Sequence, residues 1–429
     1  MAKILFAVFP VTGHINPGLP IARELVRRGH DVRWYTTPRF RAAVEATGAR
    51  VVPYRRATAI DETRFDELVG RPKGGIRQLQ WDVEKIFIDP TAAQYADIEE
   101  ELRREPADVI VGDNASVVCA LVREKFGIPF VAFGITALSL SSRDTAPFGM
   151  TLMPSSTPLG RLRNRLLYTI NDDVIFRAAR AAYNRVRAEL GLPPYTRSTF
   201  DFPKDAALYL QGSAPSFEYP RSDMPANLRW IGASVPEPPA NWQPPAWWPE
   251  LDRWPVILVT QGTINNDYDQ LIRPTIRALA AERALVIVTT GSKPAEAVGI
   301  DPLPINVRVE RFIPYAQLMP KVDLLVTNGG YGTVQIALAH GVPVVAVGKT
   351  EEKPEIANRV TYSGAGIGMK VLVPREQHLR DAVRRVLRDG TYAARAERIA
   401  KEMAGLDAPS EAAELIEELV GRAEVAATA

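Results

Sequence analysis

The chain has 429 residues, enough for two or three domains, and 46% of them are apolar, enough to fill a core in each. Its 52 basic and 50 acidic side chains leave a formal charge of +2, far from the basic excess of a dedicated nucleic-acid binder. Cys119 is the single cysteine, which excludes an intrachain disulfide and a zinc–cysteine cluster and suits a reducing, cytoplasmic setting.

The first residues, MAKILFAVFPVTGH, lack the long apolar stretch and small-residue cleavage site of a signal peptide. No run of about 18 apolar residues predicts a membrane span. Ile4–Phe9 reads as a strand, residues 10–16 as a loop, and Pro17 as the start of a helix that Gly29 ends. Asp31–Thr37 and Arg50–Tyr54 are further strands around a short helix after Pro38. This βαβαβ rhythm predicts a parallel, doubly wound sheet. Residues 55–90 show weak periodicity and hold Trp81 and Phe87 in a polar setting. A helix follows over 92–104, a strand over 108–113 ending in Asp113, a helix over 115–126 and a strand over 129–134 that includes Phe133. Residues 139–159, rich in Ser, Thr, Pro and Met, read as a long mobile loop. The arginine-rich stretch 161–190 reads as helical, with Leu162, Leu166, Leu167 and Ile170 turned to the core and the arginines to solvent. Strands over 207–210 and 228–231 close this half.

Residues 237–255 are dense in Pro and Trp and form the predicted linker, its tryptophans serving interdomain packing rather than ligand stacking. The second half then restarts the rhythm with strands over 256–260, 284–290, 307–311 and 322–326. The expected division is residues 1–235, a linker over 236–255, a second domain over 256–405, and a terminal helix over 406–429 returning to the first domain.

Two strand–turn–helix units in the second half suit an anion. After 322–326 comes Thr327-Asn328-Gly329-Gly330-Tyr331-Gly332-Thr333, three glycines in four positions before a helix. Such a turn lets the backbone approach a phosphate, which then meets free N–H groups at the positive end of the helix. Gln261-Gly262-Thr263 repeats the device, and two such turns in one sheet can hold a diphosphate between them. Neither GxGxxG nor the full GxxxxGK[ST] is present, which disfavours a nicotinamide dehydrogenase and excludes a P-loop. Asp267 and Asp269 read as helix first-turn acids rather than metal ligands. In the first half, His14 follows the first strand, where parallel sheets bind ligands, and an imidazole there is a candidate general base. Asp113 should emerge at the same sheet edge and orient it, or else cap the helix that follows.

Together, Gly13-His14-x-Asn16-Pro17, Asp113, Gln261-Gly262-Thr263 and Asn328-Gly329-Gly330-x-Gly332-Thr333, followed by Gly341-Val342-Pro343, resemble the family 1 glycosyltransferases of the GT-B fold. The nearest flavour is the bacterial enzymes that modify macrolides, other polyketides and flavonoids. The resemblance implies two Rossmann-like domains facing across a cleft. It implies an inverting transfer from a nucleotide-diphosphate sugar to a hydroxyl of a small hydrophobic acceptor, with no metal or other cofactor. It gives His14 the role of base and Asp113 that of its orienter. Thr263, Asn328, Gly330, Gly332 and Thr333 would hold the diphosphate, and Phe312 and Ile313 the nucleobase. Glu352 and Lys353 would meet the donor sugar, and Trp81, Phe87 and Phe133 the acceptor. Four positions depart from the family pattern: Asn328 stands for a usual His, Phe312 for a common Trp, and Glu352-Lys353 for Asp-Gln. The rival readings are a transferase acting on a membrane lipid and a non-catalytic sugar-nucleotide-binding protein.

Overall fold

The computed structural model describes residues 1–59, 67–72, 75–198, 200–239, 241–262, 267–291 and 293–428, with the side chains of 423–428 set aside. The first half runs β1 (Lys3–Ala7), α1 (Thr12–Arg27), β2 (Asp31–Thr36), α2 (Arg41–Glu45), β3 (Arg50–Pro53), α3 (Gly75–Asp82) and α4 (Thr91–Arg104). It continues with β4 (Val109–Asp113), α5 (Val117–Phe126), β5 (Phe130–Gly134), α6 (Pro158–Ile170), α7 (Arg177–Glu189), β6 (Leu208–Gln211) and β7 (Leu228–Trp230). The second half runs β8 (Val256–Thr260), α8 (Ile272–Leu279), β9 (Leu285–Thr289), β10 (Val307–Glu310), α9 (Tyr315–Leu318), β11 (Leu324–Thr327) and α10 (Tyr331–Ala339). It ends with β12 (Val344–Val347), α11 (Lys353–Ser363), β13 (Gly366–Met369), α12 (Glu376–Arg388), α13 (Gly390–Met403) and α14 (Ala408–Thr428).

The strands form two parallel sheets, β3-β2-β1-β4-β5-β6-β7 and β10-β9-β8-β11-β12-β13. Each is buried on both faces: along β1, Leu5 and Ala7 join one core while Ile4 and Phe6 join the other. Strand order reverses between β1 and β4 and between β8 and β11, and a crevice opens at the carboxyl ends of such strands. His14 and Asp113 follow the first pair, and Gln261 and Asn328 the second.

Four local expectations change. The helix carrying His14 begins at Thr12, because the Val11 carbonyl accepts from both His14 and Ile15 N–H, and Pro17 and Pro20 lie inside it. His14 therefore stands in a first helical turn and not in a loop. Residues 139–157 are not a loose loop: their polar side chains bond inward. The Ser141 amide donates to Asp201, Ser142 Oγ lies 2.5 Å from Asp223, and Asp144 accepts from the Ser222 amide and Arg161. Leu162, Leu166 and Ile170 do not face the core but are 53%, 57% and 47% exposed, so α6 shows an apolar stripe to solvent. Strand β13 was missed because its glycines break the apolar run; a Cβ at Gly366 would lie 1.8 Å from Val344 O and one at Gly368 2.0 Å from Ala357 O.

Three of the four linker tryptophans pack against the protein, while Trp254 is 47% exposed. Trp242, Trp247 and Trp248 lie on the second domain's core, and Trp247 Nε1 donates to Glu310. Helix α14 crosses back to the first sheet, where Ala412, Ala413 and Ile416 join Ile4 and Phe6. Arg28 and His30 reach Glu417 at 2.9 and 2.8 Å and fix it against α1.

Candidate functional site

The acceptor side is built on α1. Gly18 lets the helix lie directly on the sheet, since a Cβ there would be 2.9 Å from the Trp34 ring and 3.1 Å from Phe133. That contact also removes Phe133 from the expected acceptor residues: it is 2% exposed and belongs to the core. Trp81 and Phe87 do converge, on Phe9, Val11 and Ile86, to make a small apolar cluster. Phe87 sits in a π-helical turn, Val83–Ile88, that continues α3. Its ring lies 4.6 Å from Phe9 and 6.3 Å from His14, centroid to centroid, so the imidazole borders an aromatic wall.

His14 Nδ1 is 3.3 Å from Asp113 Oδ1, with 15% of the imidazole side chain and none of the carboxylate exposed. The two atoms are close but not aligned as a hydrogen bond, and a small ring rotation would complete one. Asp113 is held from three other sides: Oδ2 accepts from Phe9 N–H and Ser116 Oγ, and Oδ1 from Ala115 N–H. Burial works against its ionised form, but His14 and the Phe9 and Ala115 amides prevail, so its carboxyl titrates below the usual range. Asp113 thus faces the imidazole and holds the turn leading into α5, but it does not cap that helix, whose N-cap is Ser116.

Across the cleft, Gly330 is the N-cap of α10, and the first-turn amides of Tyr331, Gly332 and Thr333 have no intrahelical acceptor. Gly329 takes φ 85°, a left-handed angle that makes the turn. Asn328 is 9% exposed, and its Nδ2 donates to Gln261 O at 2.5 Å, tying the turn after β11 to the one after β8. An amide nitrogen has two hydrogens, so one remains for a ligand. Thr263, the other expected diphosphate residue, lies outside the described residues. Gln261, Asn328, Gly348, Lys349, Thr350 and Lys353 line one recess between the ends of β8, β11 and β12.

Phe312 is 56% exposed just beyond β10, its ring open to stacking, while Ile313 is buried among Val256 and Leu258 and anchors it. Glu352 occupies the N-cap position of α11 without a side-chain cap bond and is half-buried. Burial and then the neighbouring Glu351 charge push its carboxyl up, while His14 across the cleft acts in the opposite sense. Among the described residues, no group of three or more His, Cys, Asp or Glu is arranged as a metal site. Asp267 receives Asp269 N–H and Gln270 Nε2, and Asp269 pairs with Arg273, but α8 begins only at Ile272 with no acid in its first turn, so the two are turn residues before the helix and not its expected first-turn acids.

Sequence reasoning missed the contacts that join the halves. Buried Arg359 of α11 pairs with Glu218 of the first domain at 2.7 Å and with Glu355 at 2.9 Å. Glu355 accepts the Gly149 and Thr151 amides, and Asn358 donates to Thr151 O. Tyr331, between the last two turn glycines, is reached by Gln211 Nε2 from the end of β6. The one signal was a charged residue, Arg359, set among Ile356, Ala357 and Val360 on an apolar helix face.

Residues 274–419 match the erythromycin biosynthesis protein CIII-like, C-terminal domain model. Over 423 residues the chain is 47% identical to 4'-demethylrebeccamycin synthase of Lentzea aerocolonigenes, which covers 98% of this chain and 100% of that one. The chain belongs to the family 1 glycosyltransferases. This glycosyltransferase is also 34% identical to UDP-glycosyltransferase 2 of Phaeomoniella chlamydospora, over 97% of its own length and 95% of the relative's. Its fold matches the crystal structure of CalG4, the calicheamicin glycosyltransferase, with a TM-score of 0.75, 24% identity and 98% and 99% of the two chains covered. The two-sheet GT-B architecture is therefore shared, and the enzyme draws its sugar from a nucleotide-diphosphate donor. No helix of the described residues is long and apolar enough to cross a membrane.

Proposed function

We propose that this enzyme moves a hexose, with inversion, from a UDP- or dTDP-sugar to a hydroxyl of a small hydrophobic natural product. The observation that carries this reading is the His14–Asp113 pair at the first sheet's switch point, bordered by Phe9 and Phe87 and facing a glycine turn across the cleft. The names of its relatives, a 4'-demethylrebeccamycin synthase and a UDP-glycosyltransferase, support a natural-product acceptor and a uridine donor.

In this mechanism the acceptor hydroxyl lies against the aromatic wall and gives its proton to His14 as its oxygen attacks the anomeric carbon. Asp113 holds the imidazole with its proton on Nδ1 and stabilises the cation that forms. The attack comes from the face opposite the diphosphate, and the transition state is oxocarbenium-like. Negative charge grows on the leaving phosphate, where the amides of Tyr331, Gly332 and Thr333 meet it more strongly than in the ground state. These fixed dipoles stand where a metal would otherwise be needed, so the transfer is metal-independent. The Arg359 and Glu355 contacts hold the two halves together and limit water, and hence donor hydrolysis, in the cleft.

The test is a panel of UDP- and dTDP-sugars incubated with a phenolic acceptor, with nucleotide release as the readout. Acceptor-dependent release from at least one donor is expected; release from none overturns the proposal. The exposed stripe of Leu162, Leu166 and Ile170 favours one further reading, in which the acceptor is taken from a membrane surface. Co-sedimentation with anionic vesicles distinguishes it.

A further inference from the structure

Helix α11 opens against ordinary helix electrostatics. Its first residue is Lys353, a cationic residue only 8% exposed at the positive end of the helix dipole, where an acid belongs. Two residues earlier, Glu351 takes φ 57°, a left-handed angle that a non-glycine residue adopts only at a cost. The two exceptions meet: Lys353 Nζ lies 2.5 Å from Glu351 Oε2. Local rules broken together without a packing gain mark a functional position. Among the described residues Glu351 is the one acceptor of this ammonium, and 63% of the Glu351 side chain is exposed.

The lysine is also threaded into the phosphate turn. A Cβ at Gly329 would lie 3.4 Å from Lys353 O and 3.6 Å from its Cβ. One at Gly348 would lie 2.5 Å from Lys353 Cβ and 2.7 Å from Asn328 O. Gly348 thus makes the room that brings Lys353 into the recess lined by Gln261 and Asn328, with Gly329 in ordinary contact beside it. At that turn the side chain of Asn328 and the α10 amides are neutral donors, whereas the leaving group is an anion; of the two lysines lining the recess, Lys349 is exposed and Lys353 is buried against the turn.

We propose that Lys353 is the cation that binds and neutralises the donor diphosphate, exchanging Glu351 for a phosphate oxygen when the donor enters. In the transfer, the bond from the anomeric carbon to the diphosphate oxygen breaks and its electron pair stays on that oxygen. The acceptor oxygen bonds to the same carbon, and the acceptor proton goes to His14. Lys353 keeps its proton and hydrogen-bonds the diphosphate as its charge grows. This rests on the donor reading above but replaces a sugar-binding role for Lys353 with a phosphate-binding one.

The test uses free UDP and dTDP, which carry the diphosphate without the sugar, titrated calorimetrically into the full-length enzyme. Lys353→Gln is expected to weaken nucleoside diphosphate binding about 10- to 100-fold, the worth of one charge-assisted hydrogen bond, and Lys353→Arg to recover part of the loss. Its turnover should fall by a larger factor than its donor affinity. Glu351→Gln, which removes the competing carboxylate, is expected to tighten the same binding several-fold. That arm stands even if Lys353→Gln folds poorly, as its melting temperature would reveal. Unchanged UDP and dTDP affinity in Lys353→Gln, with only the nucleotide sugar weakened, would restore the sugar-binding role and overturn the proposal. So would weaker or unchanged binding in Glu351→Gln. A wild-type enzyme that binds neither nucleotide would overturn the donor reading itself.

Discussion

Replacing Asp113 with Asn tests the base and its orienter together, and the hydrogen bonds at the carboxylate determine what the amide can do. Placed at Oδ2, the NH₂ group would face two donors, Phe9 N–H and Ser116 Oγ–H. Placed at Oδ1, it displaces only the acceptor of Ala115 N–H, at 2.6 Å in the native enzyme. The second orientation is cheaper, leaving one buried donor unpaired at a cost of about 1–3 kcal/mol. It also points an N–H at His14 Nδ1, 3.3 Å away, which must then accept. The imidazole proton moves to Nε2, the atom that has to receive the acceptor's proton. Turnover should drop about 10²–10⁴-fold, the range for losing a general base or its correct tautomer. The assay compares a phenol that is protonated at the assay pH with one already ionised, and only the first should suffer. Equal losses with both acceptors, or near-native turnover with the protonated phenol, would reduce Asp113 to a brace for α5.

The same carboxylate gives a pH dependence. Because its folded pKa lies below the ordinary 3.8, its stabilisation is full above that value and is lost as pH falls through the lower folded one. The difference in denaturant stability between wild type and Asp113→Asn should therefore narrow only below pH 3.8. His14→Ala should lower turnover about 10²–10⁴-fold while calorimetry finds donor affinity retained, since the diphosphate turns lie in the other domain. Asn328→Ala removes the bond to Gln261 O, so it should lower both stability, by about 1 kcal/mol in urea unfolding, and donor affinity. A loss confined to turnover would make Asn328 a leaving-group donor alone. Arg359→Ala strands buried Glu218 and Glu355 and should cost about 3–5 kcal/mol in the same unfolding assay. Treatment with EDTA should leave turnover unchanged; loss restored by magnesium would show that the α10 amides do not suffice.

The strands were legible because each of β1, β4, β8, β11 and β12 is a short apolar run bounded by a turn, buried on both sheet faces. The nearness of His14 to Asp113, and of Gln261 to Asn328, followed from parallel topology, which collects strand ends at one edge. The environment of each side chain was less accessible. Phe133 alternates onto the face covered by α1, and only the Gly18 contact reveals that it is sealed. Leu162, Leu166 and Ile170 have the spacing of a buried stripe, yet among the described residues no neighbouring element covers them. The bridge from Thr151 to Glu355 spans 204 positions and has no local pattern. Residues 139–157 look mobile in composition because their hydrogen-bond partners, Asp201 and Asp223, are distant in sequence.

The central claim is inverting transfer across this cleft, and the anomeric configuration of the product tests it most directly. An α-linked UDP- or dTDP-sugar donor is turned over with a phenolic acceptor, and the coupling constant of the anomeric proton is read by NMR. The account predicts a β-linked product, formed with stoichiometric nucleoside diphosphate. An α-linked product would contradict single displacement by a base-activated acceptor, and with it the roles assigned to His14 and Asp113.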